Sequence, residues 1–235
     1  YRDRLGFALD FEYQSFYASV SRDGFAIHLK HAPKLAADRA LRGGTTMPKV
    51  LDFIRDLRRE TQIPLVLFTY LNPVYTYGFE RFHRDAAAAG ADGVLILDLP
   101  PDEASQNGEL VESAGLKHIR LIAPTTPEQR IKLIAAQAEG FIYYVSREGV
   151  TGAQTSLGSG IAAQVSLIKS HTATPVAVGF GISTADQAGA VAGMADAVVV
   201  GSAIVNLIGQ HGASPELSSR LASFVKPLVD AVKSV

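Results

Sequence analysis

The residues of this chain best suited to chemistry are small ones at the ends of apolar runs. Residues 178–184 (VGFGIST) and 199–205 (VVGSAIV) each close an apolar run and open a helical pattern. Glycine at such a turn lets an anion approach the backbone, and a serine near a helix N-terminus adds a donor beside oriented N–H groups. Two such turns on consecutive strands match a recurrent phosphate site of α/β barrels, which puts forward Gly181, Ser183, Gly201 and Ser202. Taken singly, Gly179, Gly181 and Gly201 could also do no more than permit tight strand-to-helix turns. Residues 146–152 (SREGVTG) leave another apolar run, with glycines at 149 and 152, and continue into a Gly/Ser/Gln-rich stretch. Beside a phosphate site that spacing describes a closing lid, although an ordinary loop has it too.

Charged and metal-ligating residues give weaker patterns. Asp98 ends a strand pattern before Pro100 and Pro101; it either faces the strand ends or shapes the turn, with Asp102 and Glu103 stabilising the helix start. Asp10 and Glu12, two residues apart on a strand pattern, share a face and could do acid–base work. The same spacing is that of the wet face of an antiparallel strand. The six histidines show no metal-ligand spacing on one element, and His28 and His31 would point to opposite faces. No metal site is expected. The absence of cysteine excludes disulfides, thiolate ligands and thiol nucleophiles.

Positioning these residues falls to a repeating pattern. Apolar runs at 64–70, 93–99, 118–124, 141–145, 175–180 and 197–200 alternate with helical patterns, one of which, 127–138, opens on the capping-box sequence of residues 126–129 (TPEQ). The runs are continuous rather than alternating, as in parallel strands covered on both faces. Six strand–helix units imply a (β/α) barrel short of its eight strands. Residues 1–33 read differently. Segments 6–13, 15–21 and 25–31, with Asp23-Gly24 between the last two, predict an antiparallel β meander that precedes the barrel of residues 34–235.

Composition bounds the partners. A net charge of −1 and a pI near 6.7 give no footprint for nucleic acid or an anionic membrane. No apolar run approaches the roughly 18 residues of a membrane span. Residues 1–4 (YRDR) lead into no signal-type segment, and there is no initiator methionine, so the natural start is expected to lie upstream. A 47% hydrophobic, cysteine-free chain fits the cytoplasm.

Several long motifs carry a resemblance to a known family. Residues 68–75 (FTYLNPVY), 77–82 (YGFERF), 98–104 (DLPPDEA), 143–152 (YYVSREGVTG), 179–183 (GFGIS) and 201–205 (GSAIV) resemble the α subunit of tryptophan synthase, and the likeness reaches back through 40–46 (ALRGGTT). The resemblance implies retro-aldol cleavage of indole-3-glycerol phosphate to indole and glyceraldehyde 3-phosphate in tryptophan biosynthesis. It implies no cofactor in this chain, with pyridoxal phosphate in a partner β subunit. By motif, Gly181, Ser183, Gly201 and Ser202 would hold the phosphate, and Arg147, Gly149, Thr151 and Gly152 would form the lid. Tyr143 would lie near the catalytic glutamate, and Tyr70 and Phe180 would line the indole pocket.

The N-terminus departs from that family. Its catalytic glutamate, in a strand like E-L-G-x-P-F-S-D-P, and its catalytic aspartate, in P-L-A-D-G-P, have no counterpart here; Asp38 registers onto the following helix. Residues 1–33 instead resemble a fragment of a glyoxalase/bleomycin-resistance (vicinal oxygen chelate) module. Asp10 and Glu12 are then the carboxylates this segment offers as replacements. The expected functions are a lyase using one of them, a catalytically inactive phosphate-ligand binder or β-subunit partner, or a fusion without function.

Overall fold

The structure, a computed structural model, describes residues 19–22, 25–28, 44–99, 104–146, 157–179, 181–212 and 214–235. In chain order the elements are β1 (Ser19–Arg22), β2 (Phe25–His28), α1 (Met47–Glu60), β3 (Leu65–Thr69), α2 (Leu71–Tyr77) and α3 (Phe79–Ala89). Then come β4 (Gly93–Ile96), α4 (Ala104–Ser113), β5 (Lys117–His118), β6 (Arg120–Ile122), α5 (Glu128–Ala136) and β7 (Ile142–Val145). The chain ends with α6 (Leu157–Lys169), β8 (Val176–Gly179), α7 (Ala185–Ala192), β9 (Ala197–Val200), α8 (Ser202–His211) and α9 (Leu217–Lys233).

The described residues form two compact units that divide between His118 and Ile119, with Ser21–His28 belonging to the second. In the first, β3, β4 and β5 lie parallel in sequence order, and Ser19 and Val20 run antiparallel along the free side of β3. In the second, β6, β7, β8 and β9 lie parallel in sequence order, and Phe25, Ala26 and Ile27 run parallel to β9. Burial explains the continuous apolar runs: every residue of β4 and of β8 is buried.

Two expectations need correcting and one is extended. The strand predicted at 118–124 is two short strands interrupted at Ile119, where the pairing partner changes from β4 to β7. Beside the predicted antiparallel meander, residues 25–27 pair in parallel with β9, which satisfies the backbone groups along β9. The rest of that meander lies outside the described residues, as does the helical pattern at 34–42. Thr126 caps no helix. Its hydroxyl accepts the Ala123 N–H at 3.0 Å, and its own N–H returns to the Ala123 carbonyl at 2.9 Å. Pro127 holds the N-cap position instead, its carbonyl receiving the Ile131 N–H at 3.0 Å.

One device anchors each unit at the start of its strands. Asp92, just before β4, accepts the first N–H of β3, from Leu65, at 2.7 Å, and pairs with Arg58 of α1. Arg58 also donates to the Gly90 and Ile63 carbonyls. Asp196, just before β9, accepts the first N–H of β8, from Val176, at 2.9 Å, and receives the Lys169 ammonium of α6 at 2.7 Å. Burial pushes the Asp196 carboxyl up, but Lys169 and the Val176 N–H outweigh it and hold the group below its ordinary 3.8. A depressed carboxylate stabilises the fold above its unfolded value and loses that contribution as pH falls through the folded one. Asp196→Asn should therefore lower stability at neutral pH and shrink the loss of stability on acidification below about pH 4. Urea titrations of both proteins across pH check this; parallel pH curves would refute it. Asp92→Ala, which removes a charge-assisted bond to Leu65, should cost about 1.5–3 kcal/mol.

Candidate functional site

The predicted phosphate residues converge in the second unit. β8 and β9 are parallel neighbours in register, Gly179 beside Val199, so the turns leaving them share one end of the sheet. After β8 the chain turns through Gly181, whose φ of +76° lies in the left-handed region that favours glycine. Ile182 is buried and anchors the turn, while Ser183 is exposed. Thr184 is the N-cap of α7 and closes a capping box: its hydroxyl accepts the Gln187 N–H at 3.3 Å, and Gln187 Oε1 accepts the Thr184 N–H at 3.2 Å. The same Oε1 accepts the Ser183 N–H at 2.8 Å and the Ser183 hydroxyl at 3.2 Å. Three donors thus meet at one oxygen.

After β9, Gly201 is the N-cap of α8, its carbonyl receiving the Ile204 and Val205 N–H groups at 3.0 and 3.1 Å. Its φ of −126° asks for no glycine on conformational grounds. Ser202 opens α8 and is exposed. The two helix N-termini follow adjacent strands, an arrangement in which N–H groups and dipoles favour an anion.

Tyr143 lies one strand further, on β7, with its backbone opposite Ala177. It is 3% exposed, and burial pushes its hydroxyl above the ordinary 10.0, so it stays protonated. Its ring explains Gly179. A Cβ there would lie 2.6 Å from the Tyr143 hydroxyl oxygen and 2.7 Å from Val199 Cβ, closer than real contacts. Of the glycines between 178 and 202, Gly179 serves close packing and Gly181 the turn.

Tyr70, predicted for an indole pocket, belongs to the first unit, where it is the 39% exposed N-cap of α2. Its side chain makes no cap bond; the Leu71 N–H donates instead to Asp98 Oδ1 at 2.6 Å, from the end of β4. Asp98, with two roles open from sequence, reaches from beyond β4 to the helix start after β3, while the turn at 100–103 that it is expected to shape lies outside the described residues. Asp10, Glu12, Arg147, Gly149, Thr151, Gly152 and Phe180 lie outside the described residues, as do Asp102 and Glu103. Sequence reasoning missed Gln187, although Thr184 followed three residues later by glutamine is the capping-box signal. It also missed the joining of His83, Asn107 and His118, which no spacing announces.

Parallel strands that lead into helices, with glycine–serine turns on adjacent strands, are features of the (β/α)-barrel class of enzymes. Residues 32–233 match the family Tryptophan synthase alpha chain. The tryptophan synthase alpha chain of Geobacter sulfurreducens is 49% identical over 199 residues, covering 85% of this chain and 75% of that one. That of Opitutus terrae is 45% identical over 201 residues, covering 85% and 76%. Among solved structures, a mutant tryptophan synthase α subunit from Pyrococcus furiosus superposes with a TM-score of 0.76 at 33% identity, covering 84% of this chain and 79% of that one. The tryptophan synthase alpha chain of Legionella pneumophila gives 0.76 at 31%, covering 88% and 78%. The chain belongs to the tryptophan synthase alpha chain family, a lyase family of amino-acid biosynthesis.

Gly179→Ala should destabilise the protein by about 1–3 kcal/mol, the usual cost of overpacking. Adding Tyr143→Phe should recover only part of that, because Val199 Cβ still stands in the way. Denaturant unfolding of the single and double variants measures both, and a neutral Gly179→Ala would refute the packing role.

Proposed function

We propose that this chain holds the phosphate of indole-3-glycerol phosphate at the turns around Gly181–Ser183 and Gly201–Ser202, and serves the lyase step that yields indole and glyceraldehyde 3-phosphate. The observation that carries this reading is the pair of helix starts after adjacent strands β8 and β9, with Ser183 exposed just before the N-cap of α7 and Ser202 exposed as the first residue of α8. Phosphate oxygens are stronger acceptors than an amide oxygen. Ser183 can therefore transfer its N–H and hydroxyl from Gln187 to the ligand, while Gln187 keeps Thr184 capped. No cofactor is needed in this chain, and pyridoxal phosphate belongs to a β subunit that would take up the indole. Residues 147, 149, 151 and 152 would close over the bound phosphate, and Tyr70 and Phe180 would contact the indole ring.

The cleavage itself asks for more. An acid must deliver a proton to the ring carbon that bears the glycerol chain, a base must remove the proton of the hydroxyl next to the ring, and the carbon–carbon bond then breaks with its electron pair returning to the ring. Each placed acid or base contributes about 10²–10⁴-fold. The chain lacks both family motifs that hold those carboxylates, and Asp10 and Glu12 are the replacements within residues 1–33, a segment foreign to the family that stands where its first two strands would be. The family match beginning at residue 32 supports that boundary. This favours a second reading, a phosphate-ligand binder and β-subunit partner with at most trace turnover.

Indole release by the purified chain, alone and with a β subunit, separates the two. Trace release is expected; about 1 s⁻¹ or more, a rate typical of enzymes, would show that a replacement base works. Loss of that rate in Asp10→Asn or Glu12→Gln would identify it. Gly201→Asp puts negative charge and bulk at the start of α8, so calorimetric titration should show binding of glyceraldehyde 3-phosphate or inorganic phosphate lost. Equal binding by wild type and variant would remove the site.

A further inference from the structure

The first unit contains three buried polar side chains that phosphate binding and lyase chemistry leave without a task. His83 of α3 is 1% exposed, Asn107 of α4 0% and His118 of β5 5%. They touch in series. His83 Nδ1 lies 2.8 Å from the Phe79 carbonyl oxygen, and its Nε2 lies 2.8 Å from Asn107 Oδ1. At the other end of that amide, Nδ2 lies 3.0 Å from His118 Nε2 and 3.4 Å from Nδ1.

Donor and acceptor counting restricts the protons. The Phe79 carbonyl can only accept, so His83 carries a proton on Nδ1. The Asn107 oxygen can only accept as well. With that oxygen toward His83, both ring nitrogens must donate, and the ring is an imidazolium inside the core. A neutral His83 offers a lone pair at Nε2 and requires the amide turned by half a rotation, its NH2 toward His83 and its oxygen toward a protonated nitrogen of His118. The two ends of an amide have nearly the same shape, so the hydrogen-bond partners, not packing, decide between them.

Burial pushes His83 below its ordinary 6.5, while the Phe79 carbonyl and Asn107 pull the other way and are outweighed. Among the described residues, no charged group is seen to meet the ring. Phe79 and Phe82 meet it edge-on at 5.1 and 5.2 Å. On α1, Asp52 pairs with Arg55 and Asp56 with Arg59 at exposed positions, Lys49 donates to the Gly44 carbonyl, and Arg58 is committed to Gly90 and Asp92. On α3 itself, Asp85 takes the Tyr77 hydroxyl of α2 together with Arg81 and Arg84, and Glu80 is exposed. Glu109 and Glu112 of α4 and Lys117 of β5 are exposed. Among the described residues, His118 is the titratable group that meets His83, through Asn107.

We propose that His83, Asn107 and His118 form a proton-controlled lock between α3, α4 and β5. In its neutral state Asn107 gives its NH2 to His83 and its oxygen to a His118 N–H. A proton taken from solvent onto His83 Nε2 turns the amide and reverses both of its hydrogen bonds. The facing nitrogen of His118 then changes from donor to acceptor, its proton moving to the other ring nitrogen. The folded-state value of His83 lies below the unfolded one, so the fold binds this proton less readily than the unfolded chain does. Stability from this source is whole above about pH 6.5 and falls as pH drops through the folded value.

Long-range ¹⁵N–¹H spectra of the imidazoles in the wild-type chain read the protonated nitrogens directly. At pH 7 His83 should be neutral with its proton on Nδ1, and His118 should be protonated at the nitrogen facing Asn107. An imidazolium at His83, or a proton on its Nε2 alone, overturns the proposal. In Asn107→Asp a carboxylate accepts from both rings, so His83 should titrate at higher pH than in wild type; an unchanged or lower midpoint also overturns it. Should that variant not fold, the wild-type spectra decide the matter alone.

Discussion

A parallel strand buried at every position leaves polar chemistry one place to go, the ends of the strand. All four residues of β4 and of β8 are buried, so neither strand can carry a charge along its length. At the strand starts the first backbone N–H of β3 and of β8 has no partner within its own ladder. An aspartate before the next strand supplies one in each unit, and a cation from the preceding helix holds that aspartate. At the exits of β8 and β9 the same constraint gathers the backbone N–H groups of two helix starts. The starts of the strands therefore secure the fold, and their exits are available for function.

This division shows which features were legible in the sequence. Five of the six apolar runs from residue 64 onward contain a single strand and the run at 118–124 divides between two short ones; β4 and β8, buried at every position, are the plainest, because such a strand writes its burial into each residue. The glycine–serine turns could be read for the same reason, since nothing else breaks an apolar run so sharply. The Asp92 and Asp196 anchors were not read, although each stands in a short Ala-Asp step before a strand. A single aspartate in a turn signals nothing until the N–H it accepts, 27 or 20 residues away in the chain, is known. Thr126 shows the converse failure. Its spacing to glutamine fits a capping box, yet Pro127 places the helix start one residue later and leaves the threonine to close the preceding turn. The working box at Thr184 and Gln187 was hidden inside a segment already read as a phosphate turn.

Gln187 shows how fold and ligand site can share the same atoms. Its amide oxygen gathers the Ser183 N–H, the Ser183 hydroxyl and the Thr184 N–H, so the donors suited to an anion are ordered before any anion arrives. Ordering them in advance lowers the entropy that binding must otherwise overcome. It also sets a threshold, because a ligand must compete with an acceptor already in place. A dianionic phosphate meets that threshold more readily than a neutral oxygen does.

Binding and chemistry separate along the chain in the same way. Anchoring a phosphate uses backbone groups of turns that also terminate strands, so any sequence that keeps β8, β9 and their helices keeps most of the site. Bond cleavage depends instead on a placed acid and a placed base. Likeness of 45–49% to family members over about 200 residues therefore vouches for the family and its scaffold. The cleavage step has to be established on the acid and the base themselves. The buried series of His83, Asn107 and His118 marks the opposite limit. A polar group inside the core is tolerable only when every donor and acceptor is matched. Here that requirement is strict enough to make one proton decide which way an amide faces.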